Sequence, residues 1–143
     1  MTWLAHQLRR LARSRDAASA VEFAILVPLF LLLVFGIIVF GSYLAMVHGV
    51  QQLAAEAARR SIAGLNDTER ASLAAGYVSA NAGSYPLIVA DRLTVASAKS
   101  GANVFVVTVD YDASRSFIFA LPTFVPMPRP RIERSAAIPF GGF

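Results

Sequence analysis

The chain has 143 residues, 56% of them hydrophobic and only 15% charged, and it contains no cysteine. That composition leaves room for one apolar span and one small further domain, and it excludes disulfides and thiolate metal sites as sources of stability. The net charge of +4 raises nucleic acid as a partner, but many of the arginines gather near the start of the chain and others flank a proline-rich stretch near its end. Anionic lipid is the simpler counterpart there, so no nucleic-acid interface is expected.

Residues 1–22 form a basic juxtamembrane segment. Trp3, Leu4, Leu8, Leu11 and Ala12 recur at helical spacing with arginines on the other face, a pattern that predicts a helix lying on the inner membrane surface. Asp16 offers an N-cap to the helix that follows. Residues 23–47 hold no charge and are built largely of Leu, Ile, Val, Phe and Ala. At about 1.5 Å of rise per residue the run is long enough to cross the hydrocarbon of a bilayer, which predicts a transmembrane helix. Arg9, Arg10, Arg13 and Arg15 precede it and Glu56 is the first charge after it, so the positive-inside bias puts the N-terminal segment in the cytoplasm and the rest outside. A cleaved secretory signal has a shorter apolar centre, of about 7–15 residues. A buried helix of this character needs a larger protein around it.

Three features mark this helix. Glu22 is a carboxylate at the edge of the span, where an acid is tolerated far better than at the bilayer centre. Pro28 removes a backbone donor and crowds the carbonyl of Ala24, which predicts a helix kink. Gly41, Ala45 and Gly49 recur every four residues and align small side chains on one face as a helix-packing seam.

Residues 48–63 continue the helix beyond the membrane, with Val47, Val50, Ala54, Ala57, Ala58 and Ile62 as its apolar stripe, so a single helix is expected over 16–63. Residues 64–143 form a small exported domain. Gly64 stops the first helix, and Asp67 or Thr68 caps a second one through Ala82 with Leu73, Tyr77 and Val78 facing inward. The period then changes. Leu93 and Val95 alternate with polar residues, and 104–112 is rich in β-branched and aromatic residues, which predicts a β-hairpin that 114–119 extends. Pro122, Pro126, Pro128 and Pro130 impose an extended crossing, and 131–138 reads as a third strand. The expected fold class is α+β: a long N-terminal transmembrane and stalk helix, a second shorter helix and a small antiparallel sheet.

Catalytic patterns are missing. His6 and His48 fall on opposite sides of the predicted membrane, and Asp110 and Asp112 share one strand face as solvated strand residues commonly do. No G-x-S-x-G elbow accompanies the serines, so no enzymatic activity, cofactor or metal is expected. The densely apolar run 117–125, with Phe117, Phe119 and Phe124, either closes the core over the stalk helix or forms a subunit contact.

Residues 18–28, Ala-Ser-Ala-Val-Glu-Phe-Ala-Ile-Leu-Val-Pro, resemble the opening of the TadE-like family of tight-adherence (Tad, Flp) pilus assembly proteins, in which a basic segment precedes a small-residue-V-E-F-A-apolar-P motif. Beyond this stretch only the general layout is similar, including a closing strand like Ser135-Ala136-Ala137. The resemblance implies a bitopic inner-membrane protein with a periplasmic C-terminal domain. It also implies a minor pilin or pseudopilin role in assembling a Tad (type IVb) pilus, in a hetero-oligomer with pilins, pseudopilins and platform proteins. Some members are substrates of a dedicated prepilin peptidase. The matching cut here falls between Ala17 and Ala18, leaving Glu22 as the fifth residue of the mature chain, followed by Phe23. The family usually has Gly where this chain has Ala17. After a cut, the freed amine of Ala18 and the Glu22 carboxylate would pair and offset each other's desolvation. The alternative is a small membrane-anchored exported enzyme or ligand-binding module unrelated to pili.

Overall fold

The first element is a single long helix although Pro28, Gly36, Gly41 and Gly49 lie inside it, because its apolar residues continue through all four positions. In the structure, a computed structural model that describes residues 15–121 and 126–141 with side chains from residue 18 onward, α1 runs Arg15–Ser61 over 47 residues. The expected single helix is therefore present. Asp16 falls inside it rather than ahead of it as a cap. The amphipathic reading of residues 1–14, with Trp3 and the arginines, lies outside the described residues.

The last turn of α1 tightens. Ile62 and Ala63 donate to the carbonyls of Arg59 and Arg60 at 3.4 Å, and Gly64 donates to that of Ser61 at 3.0 Å. Such i→i+3 bonds satisfy carbonyls that the helix end would otherwise leave open. The buried Ser61 hydroxyl donates to the Ala58 carbonyl at 2.6 Å, so no lone hydroxyl is stranded in the core.

The second helix, α2 (Asp67–Asn81), is capped by Asn66 rather than by Asp67 or Thr68. The Asn66 side chain accepts from the Glu69 N–H at 2.9 Å, and the Glu69 carboxylate accepts from the Leu65 N–H at 2.8 Å. The first bond satisfies an orphan donor of the first turn, and the second ties the residue ahead of the cap back to the helix. Asp67 instead pairs with Arg70 at 2.9 Å. The inner face of α2 is Ala74 and Val78, with Ala71 and Tyr77 packed against the core. Leu73, expected inside, is 38% exposed.

Three strands follow: β1 (Leu93–Lys99), β2 (Val104–Asp112) and β3 (Arg131–Pro139). They form one antiparallel sheet in the order β1-β2-β3, with Val95 opposite Val109 and Val109 opposite Arg134. Along β2 the buried residues alternate strictly, Phe105, Val107, Val109 and Tyr111, as a strand with one covered face requires. The predicted hairpin and third strand are both present. The expected extension over 114–119 is not: Ser116 donates to the Ala113 carbonyl at 2.8 Å, the chain turns, and Phe117–Ala120 forms a short 3-10 turn.

Contacts divide the chain into two units, Met1–Ile38 and Val39–Phe143. The described part of the first unit is the opening of α1. In the second, one core cluster joins Val39, Met46, Val50, Leu53, Ala54, Ala57 and Ala58 of α1 to Ala74 and Val78 of α2 and to the inner face of the sheet. Full burial of a Val, Leu, Met or Phe side chain stabilises by about 1.5–3 kcal/mol, so this interface is the main source of stability for a unit without cross-links.

The α1–α2 turn depends on Gly64. A Cβ built there would lie 2.6 Å from the Arg70 amide nitrogen and 3.0 Å from its Cα, and neither backbone atom can swing away. Gly64→Ala should destabilise the detergent-solubilised chain by about 1–3 kcal/mol, the usual range for overpacking, read as a lowered midpoint of unfolding.

Candidate membrane and assembly interface

From Ala18 to Ile38 the side chains of α1 are exposed on nearly every side, and most of them are Val, Leu, Ile, Phe or Ala. At about 1.5 Å per residue this stretch is about 31 Å long, close to the thickness of a hydrocarbon core. One helix is therefore long and apolar enough to cross a membrane. Pro28 is interior to α1, which continues on both sides of it. Glu22 is exposed on the same stretch, while the side chain of Ala17 lies outside the described residues.

The three small residues of the expected seam have different surroundings. Gly41 and Ala45 are exposed, and nothing lies within 4 Å of a Cβ built on Gly41. Gly49 is buried: a Cβ there would meet Ile88 Cδ1 at 2.7 Å and Tyr85 Cδ1 at 3.4 Å. The close approach that glycine permits at this position is thus taken by the chain's own 85–89 turn, which leaves Gly41 and Ala45 as the open part of the face.

That turn is held from the sheet. The buried Tyr111 hydroxyl donates to the Leu87 carbonyl at 3.0 Å, and Leu87 has φ of 69°, in the left-handed region that leucine rarely adopts. Burial, followed by the neighbouring Tyr77 and Glu56, pushes the Tyr85 phenol above its ordinary value. The run Asn81-Ala82-Gly83-Ser84-Tyr85-Pro86 marks the end of the second helix and a loop after it, but no spacing in the sequence shows that this loop returns to Gly49.

The aromatic segment after β2 splits by side. Ile118 is fully buried, Phe119 packs partly against the core, and Phe117 is 49% exposed. Ile118 and Phe119 therefore belong to the closing of the core, and Phe117 is the member left on the surface. Phe124 lies outside the described residues.

The two carboxylates on the outer sheet face are each engaged locally. Asp110 accepts from Arg131 Nε at 2.7 Å across the β2–β3 pair, and this bond holds the Arg131 guanidinium above its ordinary value. Asp112 accepts from the Ser114 N–H at 2.9 Å, and its hydrogen bonds with Ser114, then the fields of Arg92 and Arg115, hold its carboxyl below the usual range. His48 is exposed on α1, and among the described residues no three His, Asp or Glu side chains gather as a metal would require.

No curated protein and no solved structure matches the chain. Residues 17–59 match the family model described as TadE-like protein, so the resemblance carried by residues 18–28 is shown over nearly the whole of α1.

Proposed function

We propose that this protein is an inner-membrane-anchored minor pilin or pseudopilin that takes part in assembling a Tad pilus, with the 1–22 segment cytoplasmic and the sheet-bearing unit periplasmic. The observation that carries the reading is the coincidence of the TadE-like match over 17–59 with one continuous helix, apolar on all sides at first and then striped into the core of a small α+β unit. A role in binding rather than catalysis fits the local engagement of Asp110 and Asp112. Its partners are the membrane and other Tad components, namely pilins, pseudopilins and platform proteins, in a hetero-oligomer.

The arrangement of charge supports the orientation, since arginines cluster before the span and none follow until Arg59. Alkaline phosphatase fused after Ala63 should be active, and an inactive fusion would refute the exported second unit.

Processing is the second element of the proposal. A peptidase pocket shaped for Gly is sensitive to the methyl of Ala17, so the wild-type chain should be cut slowly and Ala17→Gly faster. Mass spectrometry of the membrane-extracted protein reads this directly. If neither form loses residues 1–17 in cells with an active prepilin peptidase, the chain acts as an uncut assembly factor and Glu22 has no new amine to pair with.

The exposed Phe117 is the surface proposed to meet another subunit, and its buried neighbour provides the control. Phe117→Asp should leave unfolding within about 0.5 kcal/mol while co-purification with Tad components is lost. Ile118→Ala should cost about 2–5 kcal/mol of stability. Retained co-purification of a folded Phe117→Asp chain would remove this residue from the interface.

A further inference from the structure

The outer edge of β3 carries backbone groups that the sheet itself does not use. Two bonds set their alternation: Phe140 donates its N–H to the Asn103 carbonyl at 2.9 Å, and Ala113 donates to the Pro130 carbonyl at 2.8 Å. These pairs continue the β2–β3 register by one residue at either end, so the even-numbered residues of β3 turn their backbone groups toward β2. The odd-numbered ones, Arg131, Glu133, Ser135 and Ala137, turn theirs away from it, and all four residues are exposed. Pro139 ends the row, since it has no N–H. Among the described residues no backbone group pairs with these four. At the opposite edge α2 lies against β1, so β3 is the side on which the sheet can grow.

One of the outward groups is already covered. Arg134, on the core side of β3 opposite Val109, is partly buried, and its Nη1 donates to the Glu133 carbonyl at 2.9 Å. That carbonyl is one of those turned to the free edge. The guanidinium therefore sits at the middle of the row, and no carboxylate lies within 4.0 Å of it among the described residues. An inward-facing charge on an edge strand hinders pairing with a chance neighbour, because a neutral strand would bury it unanswered. A strand with a carboxylate opposite Arg134 does the reverse: it draws the guanidinium to itself and frees the Glu133 carbonyl for the ladder.

We propose that the outer edge of β3 is a docking site for an extended segment of another polypeptide, paired through its backbone and selected by a Glu or Asp side chain that meets Arg134. A row of backbone donors and acceptors at strand spacing is matched only by another strand, which fixes the class of partner. A second copy of β3 does not answer the charge. A twofold seam on Glu133 or on Arg134 sets like charges opposite each other, and one on Ser135 gives Arg134 only Ala136 to face. The site lies wholly within the Val39–Phe143 unit and holds whether or not the chain serves a pilus.

The test uses the full chain in detergent. Amide hydrogen exchange, read residue by residue, should show Glu133, Ser135 and Ala137 exchanging about tenfold faster than Arg134 and Ala136. Equal protection of the two sets would mean that the edge is already occupied, and it would end the proposal. Two further chains carry the strand Thr-Val-Thr-Glu-Thr-Val-Thr, whose Val and Glu share one face, or the same strand with Lys in place of Glu. Each strand is tethered after Phe143 by a flexible Gly-Ser linker, which raises its local concentration. The Glu strand should slow exchange at 133, 135 and 137 by about tenfold, and the Lys strand should not. Arg134→Gln should erase that difference. Ala137→Pro, which removes an outward N–H and leaves the bonds to β2 whole, should lower the protection given by the Glu strand, with the unfolding midpoint of each variant confirming that it folds. Equal protection by the Glu and Lys strands with Arg134 intact overturns the proposal, as does protection by neither. Edge amides of the untethered chain that become protected only as protein concentration rises would identify a second copy as the occupant, which also overturns it.

Discussion

The packing of the α1 stripe against the inner sheet face is the interaction on which the second unit depends. A three-stranded antiparallel sheet can bury one face only if other elements cover it, and α2 does so mostly through small residues, with Ala74 and Val78 buried and Ala71 and Tyr77 packed against the core. The larger helical side chains come from α1: Met46, Val50 and Leu53 are fully buried, as are Phe105 and Tyr111 of β2 in the same cluster. With no disulfide and no gathered metal ligands among the described residues, removing this stripe takes the largest helical side chains out of the core. The helix is therefore part of the fold of the unit, and Val39 and Met46 belong to its core even though they sit in the uncharged stretch 23–47.

The sequence of this helix changes character along its length. Before Val39 the apolar residues run around the whole circumference, as a lipid environment allows. From Val39 onward the buried residues fall at 39, 46, 49, 50, 53, 54, 57, 58 and 61, a stripe along one side, while Gln52, Arg59 and Arg60 are exposed. Hydropathy sees both halves as apolar through Val47, because Val and Met satisfy a bilayer and a protein core equally well. Only the packing of the sheet onto the helix distinguishes them.

Legibility in the sequence followed how local the cause was. The continuity of α1, the hairpin and the third strand rest on periodicity and β-branched runs, and each appears within a residue or two of its expected bounds. The cap of α2 was displaced by one residue because Asn66 and Asp67 are both good caps, and the Glu69 that answers Asn66 decides between them. Leu73 is outside because the helix presents small Ala71 and Ala74 to its neighbour, a choice set by the distance between elements and invisible to a hydrophobic count. Residues 114–119 carry enough apolar character for a strand, yet the Ser116-to-Ala113 bond bends the chain before another strand can pair with it. The Gly49–Ile88 approach joins positions far apart in sequence, and spacing alone showed only that Gly49 was small.

The end of the sheet away from Tyr111 is closed without covalent help. Phe140 donates its N–H to the Asn103 carbonyl at 2.9 Å, and the Asn103 amide donates to the Gly141 carbonyl at 3.1 Å, so the hairpin turn and the chain after β3 hold one another. The Phe140 ring meets Phe105 edge-on at 6.4 Å, with the Arg70 guanidinium 4.0 Å and the Lys99 ammonium 5.6 Å from its centre. Cation–π contacts of this kind stabilise by about 0.5–2 kcal/mol, more when desolvated, and Arg70 is largely buried with its Nε lacking a hydrogen-bond partner. Facing an aromatic ring offsets part of what that unpaired N–H costs. The unit is thus pinned at both ends of β2, by Tyr111 to the 85–89 turn at one end and by Phe105 to Phe140 and Arg70 at the other. A strand anchored in this way can hold the 85–89 turn in its strained conformation, which an isolated turn of the same sequence would relax.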